Sequence, residues 1–365
     1  MSRKRNLKFA SFGDAHLTAR LPHTPVDDSS RIERLIKFIN HAFNLIVKNK
    51  IDFLIDTGDT SHDVLLDADS LDLLMLYIEL SRVSQIPNIR VSGNHEIDGT
   101  SHVMQFLNRF TDDPKIFYFN KEPAIYEFDH KDTRIVAVPY CPDPDFIDYA
   151  EQGMIKEKDR KEYYNILVAH VGIQNTYHAE REAFIGVPLS EIERISKGYD
   201  LMFFGHHHAF QAVCDNGMYT GSIQQTRIDE INSIPGFVLT KMPDFKITHV
   251  ENKYSPRFVI LEDYELDYDL IKGNIVKPMI DVNNKTEEEN RQYIKEVMNL
   301  EPYNIIRPRL KKIIETKPIR KAENIDDREG VIRKVIKDFK LKKSDRKEIE
   351  KYAINLYREV SSHGS

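Results

Sequence analysis

The chain has 365 residues, 41% hydrophobic and 30% charged, a balance that excludes disordered and fibrous classes. Its length exceeds what a single core usually holds, so one large domain plus something smaller is expected. Two cysteines, Cys141 and Cys214, argue against a disulfide framework and for a reduced, cytoplasmic setting; no apolar run reaches the ~18 residues of a membrane span, and no apolar signal core follows the basic start Met1-Ser2-Arg3-Lys4-Arg5-Asn6.

In chain order, Lys8-Phe9-Ala10-Ser11-Phe12 is a short apolar strand leading to Gly13-Asp14-Ala15-His16. Leu35, Ile36, Ile39, Phe43 and Ile46 recur at helical spacing and predict an amphipathic helix. Phe53-Leu54-Ile55 leads to Gly58-Asp59-Thr60-Ser61-His62. Residues 71–80 are apolar nearly all round, which fits either a helix packed on a sheet or one with a face for a second copy. Ile89-Arg90-Val91 leads to Gly93-Asn94-His95-Glu96, and Val103, Met104, Phe106, Leu107 and Phe110 form another apolar face with the same two readings. Ile135-Val136-Ala137-Val138 is a buried strand without ligands. Ile166-Leu167-Val168 leads to Ala169-His170, and Leu201-Met202-Phe203-Phe204 to Gly205-His206-His207-His208. Strands alternating with helices predict an α/β fold, with the polar motifs at the carboxyl ends of its strands.

The strand-like runs Gly236-Phe237-Val238-Leu239, Phe245-Lys246-Ile247-Thr248-His249-Val250 and Phe258-Val259-Ile260-Leu261 are expected to complete the second sheet of a domain spanning 1–270. A strand at Pro278-Met279-Ile280-Asp281-Val282, a helix over 286–300 opened by Thr286 with three Glu behind it, and a strand at 304–310 predict a β-α-β module at 275–320. Val331, Ile332, Val335, Ile336 and Phe339 form one helical stripe; Ile349, Ala353 and Leu356 form another behind Ser344-Asp345. These two short helices within 325–360 either dock on a partner helix or fold back on their own domain. The formal charge of −6 is uneven: residues 301–365 carry 18 Lys/Arg against 11 Asp/Glu, and the rest 34 against 47. The basic end is either a solvated face or a surface for nucleic acid or an acidic partner.

The five motifs supply Asp, His and Asn, a donor set for two divalent cations. Asp59 is the natural bridge, because a carboxylate offers one oxygen to each ion. Asp14, His16 and His208 complete the first ion, and Asn94, His170 and His206 the second. Mixed nitrogen and oxygen ligation favours Mn²⁺, Fe²⁺ or Zn²⁺ over an all-oxygen Mg²⁺ or Ca²⁺ site, and the lack of Cys ligands argues against structural zinc. Such a pair binds a phosphate and acidifies a water for in-line attack. His95, next to Asn94, either contacts the phosphate and protonates the leaving group or merely hydrogen-bonds a ligand. His207 should point away from the site by strand alternation.

On these motifs the chain resembles the nuclease subunit of the SbcC–SbcD-type double-strand-break repair complex, phage forms included, within the calcineurin-like metallophosphoesterases. Gly58-Asp59-Thr60-Ser61-His62 matches the Gly-Asp-x-x-His of that branch, which places His62 near the scissile phosphate. Tyr219-Thr220-Gly221-Ser222, with Glu230 downstream, resembles the closing Gly-Ser segment. The resemblance implies a four-layer α-β-β-α sandwich, a small α+β capping domain at 275–320, and a C-terminal helical segment at 325–360 that binds the coiled coil of an SbcC-type, SMC-like ATPase. It further implies two Mn²⁺ (with Fe²⁺, Zn²⁺ or Mg²⁺ as alternatives), 3′-to-5′ exonuclease and endonuclease activity on DNA, and a homodimer in the cytoplasm of a bacterial or phage-infected cell. One residue departs from the pattern: Glu96 stands where the family usually has Asp, and a longer carboxylate alters any orienting contact to His95. Two other readings keep the same site: a phosphomonoesterase or cyclic-nucleotide phosphodiesterase, and a non-catalytic adaptor at DNA ends.

Overall fold

The computed structural model describes residues 6–21, 30–98, 101–103, 116–119, 124–128, 132–155, 163–176, 186–281, 284–306 and 308–311. The chain opens with β1 (Leu7–Phe12), α1 (Ser30–Asn49), β2 (Phe53–Asp56), α2 (Ala68–Val83) and β3 (Asn88–Val91). The short β4 (Ile97–Asp98) and β5 (Ser101–His102) follow, then β6 (Ile116–Phe119) and β7 (Ala124–Phe128). A second alternating run holds β8 (Thr133–Val138), α3 (Asp143–Gly153), β9 (Tyr164–His170), α4 (Leu189–Ser196) and β10 (Leu201–Gly205), closed by β11 (Gln211–Cys214) and β12 (Gly217–Tyr219). Next come β13 (Gly236–Met242), β14 (Lys246–Glu251), β15 (Phe258–Leu261), α5 (Tyr268–Ile271), β16 (Ile275–Asp281), α6 (Glu287–Asn299), β17 (Asn304–Ile305) and β18 (Arg309–Lys311).

Two six-stranded sheets form the body, ordered β14-β13-β1-β2-β3-β6 and β11-β12-β10-β9-β8-β7. Both are parallel at the centre; the first has antiparallel strands at its β13-β14 margin and the second at both margins. Their strands are apolar on consecutive residues because both faces are covered. Leu7 and Phe9 of β1 join Phe53, Ile166, Val168 and Phe203 in the core between the sheets. Ala10 and Phe12, on the alternate face, pack with Leu35, Phe38, Leu74 and Tyr77 of α1 and α2. Leu167, Ala169, Met202 and Phe204 of the second sheet face Phe146, Ile192 and Ile195 of α3 and α4. The result is the four-layer α-β-β-α sandwich. Phe9 stacks on Phe53 at 4.8 Å and meets Phe203 edge-on at 5.4 Å. Such aromatic pairs contribute roughly 0.5–1.5 kcal/mol each beyond their buried area.

The last strands depart from the expectation that 235–265 completes the second sheet. β13 pairs antiparallel with β1, and β14 with β13, so both extend the first sheet. β15 instead pairs in parallel with β16, in a separate small sheet that also holds β17 and β18. That sheet therefore recruits a strand from before residue 275. Strand alternation encodes which faces are buried, not which sheet edge is open, so the sequence pattern was silent on this choice. α6 begins at Thr286, whose hydroxyl accepts from Glu289 N while the Glu289 carboxylate accepts from Thr286 N.

α2 packs on the first sheet, one of the two readings of its sequence. It buries Leu73, Leu74, Tyr77 and Ile78, and leaves Leu71 and Met75 43% and 42% exposed. The apolar face expected over 103–110 lies outside the described residues except for Val103, which packs against the first core cluster. The helices expected within 325–360 lie outside them as well.

Candidate metal centre

The five motifs meet at one edge of the sandwich. β1, β2 and β3 of one sheet and β9 and β10 of the other all deliver their carboxyl ends there. The loops are stitched together directly: Asp14 N donates to Gly58 O at 3.0 Å, His16 N to Asp59 O at 2.9 Å, and His206 N to Asp14 Oδ1 at 2.9 Å. Asp14, His16, Asp59 and His206 all have positive φ, of 44°, 44°, 51° and 107°. Non-glycine residues adopt that region only where the surroundings enforce it. Gly58, at φ +100°, has no room for a side chain, because a Cβ would lie 2.6 Å from His170 Nδ1. A Cβ on Gly93 would fall onto the Asp59 carboxylate.

The donor atoms converge as two groups around Asp59. Asp14, His16 and His208 offer ligand atoms within 4.8 Å of one another, and so do Asp14, Asp59 and His170. His16 Nε2 and His208 Nε2 are 2.9 Å apart. On the other side, Asn94 Oδ1 is 3.0 Å from both His170 Nε2 and His206 Nδ1. Asp59 Oδ2 lies between, 3.9 Å from His16 Nε2 and 3.4 Å from His170 Nε2. All seven expected ligands are thus in one cluster, with Asp59 between His16 and His170.

The two histidines expected in catalysis are there too. His16, His62 and His95 form a third group within 4.8 Å. The His62 and His95 rings stack at 5.4 Å, and His62 Nδ1 is 3.1 Å from His16 Nδ1. His95 is exposed and His62 half-buried. His207 turns away and packs its ring on Tyr219 at 4.9 Å.

Glu96 does not orient His95. His95 Nδ1 lies 2.8 Å from the His62 carbonyl, which accepts from it, and His95 N donates to Asp59 Oδ1 at 2.8 Å. The Glu96 carboxylate instead accepts from Gly93 N, Thr60 N and Ser61 N at 3.0, 3.0 and 3.3 Å. It ties the Asp59 loop to the Asn94 loop, and its extra methylene sets its reach across them.

Residues 7–210 match the calcineurin-like phosphoesterases. The chain belongs to that family. Similar solved structures include TT1561 of Thermus thermophilus, at 10% identity and TM-score 0.43 over 68% of this chain and 100% of that one. GAP50, described as the anchor in the inner membrane complex of Plasmodium, matches at 16% identity and TM-score 0.41 over 86% and 99%. A dimetal phosphatase from Danio rerio matches at 9% and 0.37 over 67% and 96%. At these identities nothing about substrate follows.

The donor set fits the divalent metals this family binds. Asp14 Oδ2 is buried with no hydrogen-bond partner among the described residues, an orphan that a cation would satisfy. His170 Nδ1 donates to Thr57 O at 2.9 Å and His208 Nδ1 to Glu230 Oε1 at 2.7 Å. Each bond fixes the ring so that Nε2 faces the centre, as ligand histidines require. Burial pushes Asp14 up to about 8 and also raises Asp59. Burial lowers His16 well below its ordinary value and takes His170 and His206 down to about 3. Burial opposes a proton on His208, but Glu230, Asp14 and Asp59 outweigh it and bring His208 up to about 9. A cation would find His16, His170 and His206 neutral and the carboxylates desolvated; it would displace the proton that His208 holds, and its charge would keep the carboxylates ionised.

Several supporting residues carried no motif. Asp56, at the end of β2, accepts from Gly58 N at 3.2 Å and Thr60 Oγ1 at 2.9 Å, and pairs with Arg90 at 2.7 Å with both side chains 2% exposed. Their signal was a charge within each of two adjacent apolar strands, and the register sets them directly opposite. No helix among the described residues is long and apolar enough to cross a membrane. Family membership and this ligand cluster together indicate metal-dependent hydrolysis of phosphoesters.

Proposed function

We propose that the protein is a DNA nuclease, a Mn²⁺-dependent 3′-to-5′ exonuclease and endonuclease that works with a coiled-coil, SMC-like ATPase on double-strand breaks. The observation that supports this over hydrolysis of a small monoester is the third histidine group, His16, His62 and His95, on the open side of the ligand cluster. A phosphodiester has a second ester arm and a poor alkoxide leaving group, so it needs contacts beyond those that hold a free phosphoryl group. His62 extends the site in that direction. His95 has Nδ1 committed to the His62 carbonyl, so Nε2 is the nitrogen available to a phosphate oxygen or to the departing alkoxide. Asp14, His16 and His208 would hold one cation, Asn94, His170 and His206 the other, and Asp59 both. When bound, the pair supplies charge neutralisation at the phosphate and a water acidified for attack. Residues 325–360 are the proposed ATPase-binding segment, and the exposed Leu71 and Met75 of α2 support a homodimer through that face. The proposed setting is the cytoplasm of a bacterial or phage-infected cell.

The deciding experiment follows a 3′-labelled linear duplex with Mn²⁺, comparing wild type with Asp59→Asn and His62→Ala. The expected result is degradation by wild type, none by Asp59→Asn, and a larger loss by His62→Ala on DNA than on p-nitrophenyl phosphate. Vigorous p-nitrophenyl phosphate hydrolysis with no DNA cleavage under any divalent metal, with or without the ATPase, would overturn the nuclease reading in favour of a small-substrate phosphatase.

A further inference from the structure

Two consecutive glutamines lie behind the first half of the ligand cluster, and neither touches a ligand side chain. Gln224 and Gln225 are each only 3% exposed. Gln224 Nε2 donates to Ala15 O and to His16 O, both at 2.9 Å. Those carbonyls belong to the loop held at positive φ by Asp14 and His16. The amide oxygen of Gln224 accepts from Arg31 Nη2 at 2.5 Å, and Arg31 Nη1 also donates to Thr18 O. Arg31 is itself buried, and no carboxylate among the described residues pairs with it. Guanidinium nitrogens only donate, so Arg31 must meet Oε1, and the amide has one orientation left, with Nε2 on the loop carbonyls.

Gln225 repeats the arrangement toward the other histidine. Phe258 N donates to its Oε1 at 2.7 Å, which turns Nε2 onto Glu230 O at 2.8 Å and Ser233 O at 2.9 Å. Glu230 is the carboxylate bonded to His208 Nδ1. The Glu230 side chain is fixed further by Thr226 N at 2.6 Å and Thr226 Oγ1 at 2.8 Å.

We propose that Gln224, locked by Arg31, and Gln225 are positioning residues for His16 and His208, and so set the affinity of the first ion without contacting it. Nothing comparable from this pair reaches the Asn94, His170 and His206 side. The inference rests on the two-ion reading of the site. It predicts a selective effect, because a lost brace on His16 or His208 weakens one ion and spares the other. Outer-shell partners of this kind typically govern metal affinity by about 10–100-fold.

The test is a Mn²⁺ titration of the full chain by electron paramagnetic resonance and equilibrium dialysis. Gln224→Glu keeps the volume and strengthens the pairing with Arg31 but removes both donated hydrogen bonds. Arg31→Met removes the lock. His208→Ala and His206→Ala mark the signatures of losing the first and the second ion. Gln224→Glu and Arg31→Met should each weaken one ion, about 10–100-fold, with the His208→Ala signature and an unchanged second ion. Two ions bound as in wild type, or both ions weakened together, would overturn the inference. If Arg31→Met does not fold, Gln224→Glu and Gln224→Asn carry the test. Wild-type protein that retains fewer than two ions would overturn the two-ion reading itself and this inference with it.

Discussion

At the scale of single residues, the proposed function divides the cluster into groups that hold a cation and groups that act on substrate. His95 is exposed, donates Nδ1–H to a carbonyl and its backbone N–H to Asp59, and sets its ring edge-on to His16 at 4.8 Å. His95→Ala should therefore lower kcat by about 10²–10⁴-fold while two ions remain bound, as read by metal analysis after gel filtration. Loss of an ion would show that the ring does belong to the ligand set. Glu96 gives the matching lesson about support. Its carboxylate spends its oxygens on three backbone N–H groups from two loops, and burial holds its pKa up to about 8, with Asp59 and Asp56 adding to the shift. A residue beside His95 in sequence need not serve that histidine; the turn at 94–96 buries Glu96 and leaves His95 exposed.

At the scale of elements, the Gly58-Asp59 loop is braced by the strand that delivers it. β2 ends in Asp56 and β3 carries Arg90 opposite it, and the pair lies under the Gly58-Asp59 turn with the Arg90 guanidinium 4.6 Å from the Tyr77 ring of α2. Removing one partner leaves the other charge buried and unpaired. Arg90→Met should cost about 3–5 kcal/mol in urea unfolding. A cost below about 1 kcal/mol would mean that Asp56 is held well enough by Thr60, Tyr77 and Gly58 alone, since one kept hydrogen bond contributes about that much.

At the scale of the whole molecule, the nuclease proposal makes a claim about long-range charge. If the Lys and Arg side chains contact DNA phosphates, log affinity should fall with log salt at a slope of about −0.9 per phosphate neutralised, and flat salt dependence would remove the electrostatic footprint. Deleting residues 325–365 should abolish capture by the ATPase yet leave both ions bound; retained capture would assign that segment another role. The order of the five motifs, the strands before them, the helical stripe of α1 and the capped α6 were legible along the chain, because each depends on local periodicity or on residues a few positions apart. The convergence of Asp14, His16, Asp59, Asn94, His170, His206 and His208 was expected from residue type and spacing. What needed the tertiary structure was everything decided between distant strands. The assignment of β13 to the first sheet and β15 to the small one, the turning of Glu96 onto three amides, and the convergence of Arg31, Gln224 and Gln225 behind the cluster join residues as far apart in the chain as Leu7 and Met242. Periodicity records which face of an element is buried, but a hydrogen bond across the fold leaves no periodic trace, so packing alone decides those contacts.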